Sequence, residues 1–322
     1  MRAIRVATSG GPEVMELAEV EAPEPAARQL LVEVAAIGVN FIDTYQRSGL
    51  YRMSLPFTPG SEGAGRVVAV GPEVTGFAVG DRVAWAMTPG SYAERALVPQ
   101  ESAVRVPDAV DDRTAAAALL QGMTAHYLVT STHPVRTGET ALVHAAAGGM
   151  GLLLTQLVKS LGGNVIGTVS TAEKEALARQ AGADEVVRYT EVDVAEEVRD
   201  LTDGRGVDVV YDGVGASTFD ASLASLRPRG LLALYGAASG PVPPVDPQRL
   251  NSAGSVFLTR PSLAHHILTR EELEWRAGQV FEWIGTGALD IRVGATYPLA
   301  EARRAHEDLE GRRTTGKVLL LP

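Results

Sequence analysis

Gly138-Glu-Thr-Ala-Leu-Val-His-Ala-Ala-Ala-Gly-Gly-Met-Gly-Leu-Leu-Leu-Thr-Gln-Leu-Val-Lys159 decides the fold. Thr140 to Ala145 is a short apolar run, which suits a buried parallel strand. Ala146 to Gly151 is a turn of small residues, and Leu152 to Leu161 carries apolar residues at helical spacing. Strand, glycine turn and helix form the opening of a dinucleotide-binding unit. The turn reads Ala146-x-Gly148-x-x-Gly151, with alanine where the usual motif has its first glycine. Glycine lets backbone approach a pyrophosphate, and the helix N-terminus offers N–H donors and a positive dipole end. Ala147, Gly148, Gly149, Met150 and Gly151 are the candidate cradle. A ligand-free tight turn would share this local pattern, so the flanking chain has to decide.

Downstream the period alternates. Strands are expected at Asn164–Val169, Glu185–Val187, Asp208–Asp212, Gly230–Tyr235 and Ser255–Thr259. Helices are expected at Met150–Leu161, Ala172–Ala181, Val194–Thr202 and Ser217–Ser225. Alternating strand and helix predicts an α/β, doubly wound parallel sheet. Upstream the chain changes character. Ala3–Val6, Met15–Val20, Leu30–Ala36, Gly65–Val70, Arg82–Trp85 and Tyr92–Val98 are short β segments between Gly and Pro. They predict a compact β-rich barrel. Asn40–Ser48 reads as a helical turn, and Asp111–Leu120 as an alanine-rich helix capped by Asp111 or Asp112. Gly122 is expected to break it from a second helix, Met123–Thr130. Glu271–Ile284 reads as a helix, and Val293–Pro298 and Lys317–Leu321 as strands returning to the first domain. The expected domains are 1–123 with 261–322 around an inserted 124–260.

Composition excludes several classes. The chain has 322 residues, 45% of them hydrophobic, which fits two cores better than one. A net charge of −10 without a basic stripe argues against nucleic acid. No apolar run reaches the ~20 residues that span a bilayer. There is no cysteine, which removes disulfides, thiolate nucleophiles and Cys–zinc sites and points to the cytoplasm. Met1–Val6 reads as a strand rather than a secretory signal.

Gly138-Glu139-x-x-Leu142-x-x-x-Ala146-Ala147-Gly148-Gly149-x-Gly151-x4-Gln156-x-x-Lys159 resembles the full signature of the zinc-independent, zeta-crystallin-like quinone oxidoreductases. These belong to the medium-chain dehydrogenase/reductase superfamily. Ile37–Tyr45, Ser48–Tyr51, Val209–Asp212 with Val214-Gly215, and Thr259-Arg260-Pro261 are similar to the same branch. The resemblance spans essentially the whole chain. It implies a Rossmann-type sheet inserted in a GroES-like barrel, a homodimer, and NADPH:quinone oxidoreduction in a cleft between the domains. An enone or 2-alkenal reductase of the same superfamily is the alternative. An RNA-binding or structural role is a rival from another class.

Zinc-dependent relatives carry G-H-E-x2-G-x5-G-x2-V, whereas this chain reads Gly60-Ser61-Glu62-x2-Gly65-x5-Gly71-x2-Val74. Ser61 stands in the place of their zinc-binding His, and Asn40 in the place of a zinc-binding Cys, so no metal is expected. The resemblance puts Asn40 by the nicotinamide, near the ribose or the substrate oxygen. Tyr45 could present a phenol there, or pack as a plain aromatic. Gln121 stands where the family often carries Lys, and Thr124 is a candidate for the carboxamide. About twenty residues beyond the glycine turn, NAD-preferring folds place a carboxylate for the ribose. Ser170 occupies that position, and Lys174 resembles the family's ligand for a 2′-phosphate. Tyr189, Val214, Tyr235, Ser239, Leu258 and Arg260 complete the implied cofactor contacts.

Overall fold

Eleven residues, Gln29–Val39, form the longest strand, and its unit is laid around it. The structure, a computed structural model, describes residues 1–322. The chain divides into two compact units, Met1–Met123 with His266–Pro322, and Thr124–His265. In order it runs β1 (Arg2–Val6), β2 (Met15–Glu19), β3 (Gln29–Val39), α1 (Phe41–Ser48), β4 (Glu62–Val70), β5 (Arg82–Ala86), β6 (Arg95–Pro99), β7 (Ala103–Arg105) and α2 (Asp112–Tyr127). There follow β8 (Thr140–Val143), α3 (Gly149–Ser160), β9 (Asn164–Val169), α4 (Ala172–Gln180), β10 (Glu185–Arg188), α5 (Val194–Leu201), β11 (Val207–Asp212), α6 (Phe219–Ser225), β12 (Leu226–Leu234), α7 (Gln248–Ser252) and β13 (Phe257–Thr259). The chain closes with α8 (Arg270–Gly285), β14 (Val293–Pro298), α9 (Ala302–Glu310) and β15 (Lys317–Leu321). No helix is long and apolar enough to cross a membrane.

In the first unit β3 is flanked by β4 and β15 and also pairs with β6. The antiparallel β15–β3 register sets Val318 opposite Val39, so residue 317 arrives next to residue 40. Ile4, Leu30, Val32, Ile37, Trp85, Val98 and Leu320 fill the core beneath. Each such side chain contributes about 1.5–3 kcal/mol by leaving water.

The second unit is one parallel sheet in the order β10-β9-β8-β11-β12-β13. Its central strands are buried on both faces, and every residue of β11 is buried. Two of the helices, α4 and α5, start where the sequence supplies caps. The Thr171 hydroxyl accepts from Lys174 N at 3.3 Å, and the Asp193 carboxylate accepts from Ala195 N and Glu196 N. The fold class read from the sequence is the one observed.

Details differ. Gly122 does not break a helix: α2 runs through it to Tyr127, then widens into a π turn at Leu128–Thr132. A Cβ at Gly122 would lie 2.8 Å from Val280 Cγ1 of α8, so this glycine serves a close helix–helix approach rather than a stop. Asp111, not Asp112, caps α2, accepting from Arg113 N and Thr114 N at 2.9 Å each. β12 starts at Leu226 rather than Gly230, and β13 spans only Phe257–Thr259. α9 has no counterpart in the sequence reading. Only Ala302, Ala305 and His306 of it are buried, and such small positions give a faint apolar period.

Candidate active site

Because the strands of the second sheet are parallel, their carboxyl ends share one edge. From β10 to β13 that edge carries Tyr189, then Ser170, then the glycine turn, then Val214, then Tyr235 with Ser239, and last Leu258 and Arg260. The chain winds outward in one direction from β8 and in the other from β11. The crevice at such a reversal is where open α/β sheets bind ligands.

The middle of the edge is a turn of small residues that runs into the N-terminus of α3. Ala145 turns the chain out of β8 with φ of 51°. Gly148 is the N-cap of α3 and has no side chain to cap it, so no side chain bonds the first-turn N–H groups. At Gly151 a Cβ would meet Ala145 O at 2.3 Å, which explains the glycine by close helix–strand approach. Glycines at 148, 149 and 151 leave the N–H groups open to a pyrophosphate, so the residues fit a dinucleotide.

On the β9 side, Tyr189 N donates to Val169 O at 3.1 Å, and Thr190 Oγ1 to Ser170 O at 3.2 Å. Those bonds hold Tyr189 alongside Ser170. Lys174 is half-buried in the first turn of α4, and no carboxylate occupies position 170. On the β11 side, Ser239 N and Oγ both donate to Val214 O at 2.8 Å, and Tyr235 N donates to Asp212 O at 2.9 Å. Val214, Tyr235 and Ser239 are thus brought together. Gln121 and Thr124 lie one turn apart on α2, half-buried and buried respectively.

In the first unit, Asn40 sits in a buried polar cluster. Its Nδ2 donates to Glu62 Oε2 at 2.8 Å and to Gly38 O at 3.2 Å, and its Oδ1 accepts from Lys317 Nζ at 2.7 Å. Lys317 Nζ lies 2.6 Å from Glu62 Oε2, with both side chains at most 2% exposed. Glu62 Oε1 also accepts from Leu120 N. Asn40 N donates to Asp43 Oδ2, which fastens the start of α1. That helix carries Tyr45, whose ring meets Tyr51 edge-on with centroids 5.3 Å apart.

Asp43 collects further donors: Ser61 Oγ at 2.9 Å and Tyr92 Oη at 3.2 Å. Burial pushes its carboxyl up to about 6, with the bonds from Asn40, Ser61 and Tyr92 and the charge of Lys317 opposing. Tyr92 Oη meets His306 Nε2 at 2.9 Å, and His306 Nδ1 meets Arg47 Nη1 at 2.9 Å. A guanidinium only donates, so Nδ1 accepts and the ring proton rests on Nε2. Burial, with Arg47, holds His306 down to about 3. Arg47 in turn pairs with Glu310.

This donor set does not fit zinc. Ser61 and Asn40 are neutral oxygen and amide groups already committed to carboxylates, and no cluster of three His, Cys, Asp or Glu could hold a metal ion.

The model of the alcohol dehydrogenase GroES-like domain matches residues 26–108, and that of the zinc-binding dehydrogenases matches residues 149–282. A quinone oxidoreductase of Pseudomonas aeruginosa is 49% identical over 321 residues, 99% of either chain. The chain belongs to the quinone oxidoreductases of the medium-chain dehydrogenase/reductase superfamily. A mycobacterial member solved in complex with NADPH is 56% identical, superimposes with a TM-score of 0.97 and covers 100% of both chains. A 2-haloacrylate reductase of Burkholderia sp is 43% identical over 321 residues, 97% of this chain and 96% of that protein. Membership agrees with the resemblance read from the signature around Gly148.

Sequence reading missed the groups that hold these residues: Glu62, Lys317, Tyr92 and His306 in one unit, and His144, Thr168 and Ser222 in the other. Their contacts join positions from 10 to 277 residues apart, and no local pattern connects them. The one available signal was chemical: a His inside an apolar run, as His144 is, must have buried partners.

Proposed function

We propose that the protein reduces quinones with NADPH: NADPH, a quinone and a proton give NADP⁺ and a hydroquinone. The observation that carries this reading is the open cradle at Gly148–Gly151, with Ser170 and Lys174 rather than a carboxylate at the end of β9. Membership in the quinone oxidoreductases and the NADPH complex of the mycobacterial relative support it. Bound NADPH supplies the hydride; the protein binds, orients and supplies electrostatics.

Gly148, Gly149, Met150 and Gly151 hold the pyrophosphate, with Ala147 in the turn. Lys174 pairs with the 2′-phosphate beside Ser170, and Tyr189 lies along the adenosine. Val214, Tyr235, Ser239, Leu258 and Arg260 line the other half, and Gln121 and Thr124 meet its nicotinamide end. Both Nδ2 hydrogens of Asn40 are already used, and its Oδ1 accepts from Lys317 Nζ and, in the capping box of α1, from the Asp43 backbone N–H. Asn40 therefore has no hydrogen left for a quinone oxygen, and we assign it to the wall beside the ribose. Tyr45 is the side chain we assign to the quinone oxygen, where a phenol meets developing negative charge. The working form is a cytoplasmic homodimer joined along the edge strand β13, where Phe257 is 62% exposed. Light scattering should then give twice the chain mass of 33.9 kDa.

The 2-haloacrylate reductase relative favours a second reading, hydride addition to an activated alkene. Steady-state rates with NADPH separate the two. A kcat/KM for 1,4-benzoquinone well above those for 2-chloroacrylate and an α,β-unsaturated ketone is expected. The reverse order would replace quinone reduction by alkene reduction.

A further inference from the structure

A chain of side chains crosses the carboxyl ends of three neighbouring strands in the second sheet. Thr168 is in β9, His144 follows β8, and Asp212 ends β11; Ser222 reaches them from α6. All four are at most 2% exposed. Thr168 Oγ1 lies 3.0 Å from His144 Nδ1, His144 Nε2 lies 2.9 Å from Ser222 Oγ, and Ser222 Oγ donates to Asp212 Oδ2 at 2.7 Å.

The direction of every bond follows from the last one. Asp212 also accepts from Val214 N at 2.8 Å, Gly215 N at 3.0 Å and Thr218 Oγ1, so its oxygens act as acceptors throughout. With its hydrogen given to Asp212, Ser222 must accept from His144 Nε2–H. Burial holds the His144 imidazole below its ordinary value, against the pull of Asp212, so the ring keeps one proton. Nδ1 therefore accepts from the Thr168 hydroxyl. Every member is buried, and each fixes the next.

The two ends of this chain belong to different halves of the cofactor site. Thr168 lies two residues before Ser170, on the side of Lys174. Asp212 shapes the turn that presents Val214. His144, in the middle, precedes Ala145 and the glycine turn. We propose that Thr168, His144, Ser222 and Asp212 form a brace that sets the distance between the adenine and nicotinamide halves of the site. They are positioning residues and touch no ligand. The brace rests on the NADPH reading above.

The test compares a whole cofactor with half of one. Thr168→Val is nearly isosteric and removes the hydroxyl donor to Nδ1, while Thr168→Ser keeps it; Ser222→Ala cuts the chain at another link. Dissociation constants of NADPH and of 2′,5′-ADP are measured by titration calorimetry on each full-length variant, with melting curves. Thr168→Val and Ser222→Ala should bind 2′,5′-ADP within about twofold of wild type but NADPH about tenfold more weakly, the equivalent of ~1.4 kcal/mol. Thr168→Ser should restore NADPH binding. Equal losses for both ligands, or unchanged NADPH binding in both cut variants, would overturn the brace alone. A wild type that binds neither ligand would overturn the NADPH reading and the brace with it.

Discussion

The two units hold their functional groups in opposite ways. In the second, the candidate binding groups are backbone N–H donors and single side chains placed by the ends of successive parallel strands, with local caps such as Thr171 beside them. In the first, Asn40 is held by side chains contributed from positions 62 and 317, in a core with almost no water contact. One unit presents its chemistry from backbone geometry, the other from buried charge. The contrast implies that lesions in the first unit should be felt as stability, and lesions in the second as affinity.

The largest expected effect breaks the buried pair. Lys317→Met leaves Glu62 charged and uncompensated, which should cost about 3–5 kcal/mol. Glu62→Gln with Lys317→Met should recover most of it, because the stranded charge is gone. Calorimetric unfolding would show this; a loss below about 1 kcal/mol in the single variant would mean that the pair does not govern the stability of its unit.

Next is Lys174→Ala. A charge-assisted contact to a 2′-phosphate is worth about 1.5–3 kcal/mol. Wild type should therefore prefer NADPH over NADH by roughly 10- to 100-fold in kcat/KM. The variant should lose most of that preference through the KM for NADPH, with melting unchanged. Full preference in the variant would remove Lys174 from the site.

Acid titration separates two groups of the first unit. His306 falls to about 3 in the folded chain from 6.5, so the unfolded chain binds more protons between those values and stability drops as pH falls through them. Asp43 rises to about 6 from 3.8, so the folded chain binds more protons there and stability increases as pH falls from 6 to 3.8. The two oppose each other between about pH 4 and 6. Asp43→Asn should expose the His306 slope, a loss of up to ~1.4 kcal/mol per pH unit. His306→Gln should reverse the sign. Denaturant midpoints from pH 7.5 to 4.5 report both, and identical slopes in the two variants would refute the assignment.

The smallest effect sharpens the second unit. Thr171→Ala uncaps α4 and should cost about 1 kcal/mol. Since Lys174 rides in that first turn, the KM for NADPH should rise up to about fivefold while that for NADH stays. A rise shared by both cofactors would mean that the cap supports the whole helix rather than Lys174.

How much was legible in the sequence follows the same division. The turn at Gly148–Gly151, the strands around it and the replacement of a carboxylate by Ser170 are written in adjacent residues. A helix–strand period and a turn of glycines have few alternative meanings. The bonds around Asn40 were not legible, because Glu62 and Lys317 become neighbours only when β15 pairs with β3. Gly122 misled for a related reason: its purpose is a neighbour, Val280, that lies far along the chain. α9 stayed hidden because its buried face is built from alanine and one histidine.

The Lys317–Glu62 pair has a consequence for how the chain is made. Glu62 leaves the ribosome early, and its counter-charge is synthesised 255 residues later. Residues 124–265 are contiguous and need nothing that follows them to close their sheet, so they can fold while translation continues. The first unit cannot complete its sheet, or bury Glu62 against its counter-charge, until β15 emerges. Loss of the last strand by truncation or a premature stop would therefore release a molecule with a finished nucleotide-binding half and an unfinished partner, a substrate for the cell's proteases rather than a weaker enzyme.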